Sequence, residues 1–184
     1  MSQKVLGINL VEVPSTDPKH ELGLEVDDPR GGQGQITYTI YPNGVPTSTT
    51  VTYNYSPGGR YRYVKAAGSI NAGDAVRIDF TASNSDKTRH NNVIQTSAAD
   101  QSIEGVAMAT VTSGQYFWIM IKGRYVGANV ATAAAAGDVL GSSSTAGRLA
   151  TATPSAANAY ATACSVGIRA VTAGSSNTAD IIVK

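Results

Sequence analysis

Ala72-Gly73-Asp74-Ala75-Val76 recurs 64 residues later as Ala136-Gly137-Asp138-Val139-Leu140. A second pair follows it: the run from Gly105 to Gly114 returns as Gly167-Ile168-Arg169-Ala170-Val171-Thr172-Ala173-Gly174. In the first half the Gly-Asp glycine precedes this second motif by 32 residues, in the other by 30. Each half therefore reads as strand, Gly-Asp turn, strand, long loop, and a Gly-led strand that runs through a Ser-Gly or Ala-Gly turn into a closing strand. The closing strands are expected at 116–121 and 179–183. Two similar short-stranded units predict a mainly β fold, a small barrel or clip-like domain. Only Ala131–Ala136 and Pro154–Ala163 have helical composition, and both are too short to hold an isolated helix.

Upstream lies a different pattern. Ile36, Tyr38 and Ile40 alternate with Thr37, Thr39 and Tyr41, and Thr49, Val51, Tyr53 and Tyr55 alternate with Ser48, Thr50, Thr52 and Asn54. β-Branched and aromatic residues at period two predict strands. Pro42-Asn43-Gly44 between them supplies the dihedrals of a reversal, so 31–59 is expected as a β-hairpin flanked by glycine pairs. Before it, Lys4 to Pro14 is an apolar strip in which Pro14 and Pro18 oppose a helix. Residues 1–30 are read as an extended N-terminal arm and a lead-in strand, and 60–184 as the main domain.

Composition narrows the function classes. Of 184 residues, 81 are Ala, Gly, Ser or Thr, only 15% are charged, and the net charge is +1. Residues 1–30 hold six acidic and three basic groups, whereas 105–184 hold two and five. A balance so near zero argues against nucleic acid as a partner. No run approaches the roughly 18 apolar residues of a membrane span. The opening Met-Ser-Gln-Lys lacks the apolar stretch of a signal peptide. One cysteine permits no internal disulfide and no thiolate metal cage.

Candidate chemistry is sparse. His20 and His90 lack the spacing of zinc ligands and are read as solvated. Cys164 borders an apolar strand with no base beside it and is read as buried filler. Gly31-Gly32-Gln33-Gly34 lacks the Lys-Ser/Thr of a phosphate loop, and no Gly-x-Ser-x-Gly elbow occurs. Asp27-Asp28 is assigned to a turn before Pro29, and Asp74 and Asp138 are expected to cap their own turns. In Arg60-Tyr61-Arg62-Tyr63-Val64-Lys65, strand alternation sends the tyrosines inward and the arginines outward. No catalytic, cofactor or metal site is expected.

Several of these segments together resemble a tailed-bacteriophage capsid decoration, or cement, family. They are Glu21-Leu-Gly-Leu-Glu-Val-Asp-Asp28, Tyr61-Arg-Tyr-Val-Lys-Ala66, the turn Ala72–Asp74, the block Gly105–Gly123, Ala136–Leu140 and the ending Gly167–Gly174. The resemblance implies a β-tulip or β-clip domain that binds the outside of an expanded phage head as a homotrimer and stabilises it. Its partners would be the major capsid protein, its own copies and neighbouring trimers, with no nucleic acid, membrane or cofactor. The chain departs from the family at 31–59, where the hairpin is inserted. Expected contacts are Val5, Leu6, Ile8, Leu10 and Val11 on the arm, Tyr38, Tyr53 and Tyr55 on the hairpin at an inter-subunit site, and Arg60 and Arg62. The alternative from another class is a surface carbohydrate-binding module that stacks sugars on exposed tyrosines.

Overall fold

A computed structural model of the chain describes residues 13–28, 34–40, 47–53, 59–81, 89–97, 102–152, 168–171 and 177–183. The protein is mainly β: the described residues form twelve strands and no α-helix. β1 (Glu25–Asp28), β4 (Gly59–Ala66), β5 (Ala75–Ile78), β6 (Asn92–Gln95), β7 (Gly105–Ala107), β8 (Tyr116–Asn129), β11 (Ile168–Ala170) and β12 (Thr178–Val183) form one mixed sheet. β2 (Gly34–Ile40) pairs with β3 (Thr47–Tyr53), and β9 (Leu140–Ser142) with β10 (Leu149–Thr151). The predicted hairpin is present, with Ile36 opposite Val51 and Tyr38 opposite Thr49. The first closing strand is longer than its apolar run suggests, because Gly123 and Gly127 take positive φ within β8 and carry the strand on to Asn129. Ala131–Ala136 forms bends and the start of a turn.

One small device recurs at four places. Residues 21–24, 71–74, 112–115 and 135–138 each close a turn, the fourth N–H donating to the first carbonyl at 3.0–3.2 Å. The third residue is always glycine, at φ between +84° and +91°, the conformation a type II turn requires there. Its amide then points sideways and donates to a residue of a neighbouring segment, whose own N–H donates to the carbonyl of the fourth turn residue. The gripped residues are Tyr63, Ala107, Ala66 and Ala170, and all eight clasp bonds measure 2.8–3.0 Å. In the two Gly-Asp turns the carboxylate also accepts from the first backbone amide, Asn71 to Asp74 at 2.8 Å and Ala135 to Asp138 at 2.9 Å. Gln115 does the same for Thr112 at 2.8 Å.

These clasps lock a topology that occurs twice. β4 pairs with β6 in parallel and with β8 antiparallel, so β4, β6, β5, β7 and the first part of β8 close into a ring. The second part of β8 takes the place of β4 in the other half. It pairs with β12, while Val130 bridges Leu149 of β10 in parallel, as Ala66 pairs with Val93 of β6. β10 pairs with β9, Val139 bridges Arg169 of β11, and β11 pairs with β12, which closes the second ring. The gripped Ala107 and Ala170 are equivalent, so the second motif sits one residue out of step with an alignment on Gly105 and Gly167.

The cores follow the same duplication. Val64, Ala66, Ile70, Val76, Ala107 and Ile119 fill the first ring. Ala128, Val130, Ala134, Leu140, Ala170 and Ile181 hold the corresponding places in the larger second cluster. Tyr61, Tyr63, Trp118 and Met120, on the opposite face of β4 and β8, also pack into that second cluster. β4 and β8 are therefore buried on both faces over much of their length, which a simple inside–outside alternation does not anticipate.

The rings meet where Gly147, at φ +73°, lies against Asp74; a Cβ there would sit 2.6 Å from the Asp74 carboxyl carbon. Gly114 has a similar φ of +86° but nothing within 4 Å of its missing Cβ. Gly114→Ala should cost only the left-handed strain, about 1–2 kcal/mol. Gly147→Ala adds overlap with a buried carboxylate and should lose roughly 3 kcal/mol or more in urea melts. Equal losses at the two sites would show that the rings do not touch there.

Candidate interaction surface

Residues 13–24 form a strap across the outer face of β4 and β8. Tyr116 N–H donates to the Ser15 carbonyl at 2.8 Å, Lys19 N–H donates to the Tyr63 hydroxyl at 3.2 Å, and the 21–24 turn clasps Tyr63. The His20 ring meets Tyr63 edge-on at 5.0 Å and Trp118 at 5.3 Å. Cross-strand register explains the cluster: Tyr63 stands opposite Trp118, and Lys65 opposite Tyr116 with its ammonium 5.5 Å from the ring. His20 is thus a packing residue and not a solvated one, because the strap lays it on two aromatic rings. His90, in a short 3-10 turn, is exposed.

The strap fixes where the rest of the chain leaves. It starts at Val13, 78% exposed, beside the Lys65–Tyr116 end of the first ring. The chain then runs antiparallel to β4 as β1, ending with Asp28 opposite Gly59, and the β2–β3 hairpin lies between these two residues in sequence. The described anchor points of arm and hairpin, Val13 to Ser15 and the Asp28–Gly59 pair, therefore lie at opposite ends of β4, separated by about 20 Å at the rise of a β-strand. Phe80 belongs to the arm end, since Ile78 is opposite Val93 and Asn92 is opposite Lys65. The residue is 60% exposed on a turn held by Asp79, whose Oδ1 accepts from Thr81 N–H at 2.9 Å and Thr81 Oγ1 at 2.6 Å. Asp79-Phe80-Thr81 is the sequence signal for this display, an Asx turn around an aromatic residue.

The other anticipated contact residues are placed as follows. Arg60 donates to both carboxylate oxygens of Asp27, at 2.8 and 3.2 Å. That bond holds the Asp27 carboxyl below its ordinary range and raises the Arg60 guanidinium. Arg62 pairs with Glu25 at 2.6 Å and Glu104 at 3.5 Å. Arg60 and Arg62 lie on the same face of β4, and Arg60 is the exposed one. Arg62 shares the Val64 and Ala66 side of β4, the inside of the ring, and it is half-buried at the rim. Asp27 and Asp28 lie in β1 and not in a turn, because they pair with Arg60 and Gly59. Tyr38 and Tyr53 occupy register positions opposite Thr49 and Gly34. Val5, Leu6, Ile8, Leu10, Val11, Tyr55 and Cys164 lie outside the described residues. Tyr61, Tyr63, Phe117, Trp118 and Tyr125 are buried, so these rings do not form the stacking surface that a carbohydrate-binding reading calls for.

Asp74 is the buried carboxylate with the densest surroundings. It is 2% exposed and accepts from Asn71 N–H and Nδ2, Gln95 Nε2 and Asn129 Nδ2, at 2.6–3.2 Å. A carboxylate so saturated is held as a structural acceptor. Among the described residues no group of three or more His, Cys, Asp or Glu side chains could hold a metal ion.

Tyr125, whose hydroxyl donates to the Ala107 carbonyl at 3.3 Å, is pushed up to about 12, first by burial and then by the Asp74 charge. The unfolded chain loses this proton near pH 10 and the folded chain only near 12. Stability is thus complete below about pH 10 and falls as pH rises from there toward 12. Tyr125→Phe should flatten that decline in melts taken across this range. An unchanged decline would mean that the phenol is not held neutral.

No protein-family model matches the chain, and no curated protein matches it. Among solved structures, the chain is similar to the N base of the head fiber gp8.5 of bacteriophage phi29. Identity is 13% and the TM-score 0.49, over 67% of this chain and 92% of that one. A likeness at this level carries no argument about what the chain does.

Proposed function

We propose that the chain is a structural, non-enzymatic component of a tailed-phage head, a decoration protein that binds the outer shell as a homotrimer and bridges neighbouring capsomers. The observation that carries this reading is the strap. It begins at Val13 beside an aromatic cluster at one end of a closed ring, and the apolar stretch with Val5, Leu6, Ile8, Leu10 and Val11 directly precedes it in sequence. A segment of that composition has too little core of its own and gains order against a partner. Three arms on one trimer would raise avidity by effective concentration, without tighter single contacts. The exposed Val13 and Phe80 at the same end extend the apolar surface available to such a contact. The segments that resemble the decoration family lie largely in the end of the strap, β1, β4, β7, β8, β11 and the two Gly-Asp turns, and those in the strap, β4 and β8 build this aromatic platform.

The test is removal of residues 2–12, which leaves the strap from Val13 onward intact. Cosedimentation with expanded, undecorated heads should show affinity falling roughly tenfold or more, while the urea midpoint stays within error of the full chain. Undiminished binding by the truncated protein would refute the arm as the shell contact.

A further inference from the structure

Among the described strands, both end strands of the large sheet are guarded. β1, the edge beside β4, carries Glu25, Asp27 and Asp28, two of them in ion pairs across to Arg62 and Arg60. β11 is three residues long and carries the exposed Arg169. Charges and short length are how proteins keep strand edges from pairing with other chains. The hairpin has neither protection. β2 and β3 are seven residues each, joined by seven consecutive pairs without a register shift. Among the described strands they pair only with each other, so each has one edge that no described strand covers. Neither strand contains proline, and the whole stretch 31–59 contains no charged residue.

We propose that these edges pair with the same hairpin of a second copy, forming a continuous β-sheet between copies. The missing charge leaves nothing to oppose the pairing of identical strands. Edge pairing between identical strands brings like residues near one another, and like charges opposite each other are destabilising, whereas Thr–Thr pairs are favourable. β2 and β3 offer Thr37, Thr39, Thr47, Thr49, Thr50 and Thr52 along their length. A lone two-stranded hairpin is marginal in water, and extension to four or more strands across copies removes that weakness. The topology permits it: the hairpin leaves from the end of β4 opposite the arm, so copies can join there while their arms engage a shell. The proposal deepens the reading that copies of this chain associate, and it names the element and the bond type.

The experiment is sedimentation of the full chain without heads, compared with Thr39→Lys, with Thr50→Lys, and with a variant whose residues 34–53 are replaced by a short Gly-Ser turn. The full chain should associate, and each variant should lose association by roughly tenfold or more. Emission of the single tryptophan, Trp118, and the urea midpoint should stay unchanged, which shows intact rings. A full chain that stays monomeric, or variants that associate like it, would overturn the proposal. Head binding by the variants is scored separately: retained single-copy binding leaves the arm reading standing whichever way the sedimentation result falls.

Discussion

The structure depends on a backbone amide that points sideways out of a turn. In a strand or helix an N–H lies along a direction set by regular geometry. At φ near +85° it can be aimed at a neighbour, and glycine reaches that conformation without the Cβ penalty. Gly23, Gly73, Gly114 and Gly137 each use it to grip one buried residue through two backbone bonds. Strands of three or four residues carry few ladder bonds of their own. The clasps supply the fixed points that let such short strands close rings, and they tie the strap to the first ring in the same way that each ring ties its own turns.

A shared strand makes two rings into one body. β8 serves as the closing strand of the first ring and the opening strand of the second, with Asp74, Asn129 and Gly147 meeting at the junction. Substitution between equivalent core positions is balanced in size. Val64 and Ile70 correspond to the smaller Ala128 and Ala134, while Ala66 and Val76 correspond to the larger Val130 and Leu140. The abundance of Ala and Gly follows from this: small residues are what fit a tightly closed ring and its clasps.

Much of this was legible in the chain. The Gly-Asp repeats marked equivalent turns, alternation located β2, β3 and β4, and Asp74 and Asp138 cap their turns as their residue type suggests. Other features were not, for identifiable reasons. Gly114 and Gly23 sit in turns without aspartate, so the shared clasp shows no common motif. Arg62 is half-buried at a ring's rim because β4 is buried on both sides, which alternation alone cannot express. His20 looked solvated because its partners, Tyr63 and Trp118, are more than 40 positions away in sequence. The opposite exits of arm and hairpin emerge only from the β1–β4 and Ser15–Tyr116 register.

That two-ended arrangement is the core of the proposed function: one end of the first ring would grip a shell through the arm, and the other would present the hairpin to further copies. A cryo-electron microscopy map of expanded phage heads decorated with this protein tests it most directly. The account predicts density in which Val13, Phe80 and Tyr116 face the shell, with the β2–β3 hairpin on the far side against neighbouring copies. Density with the hairpin end against the shell and the Val13 end exposed to solvent would contradict it.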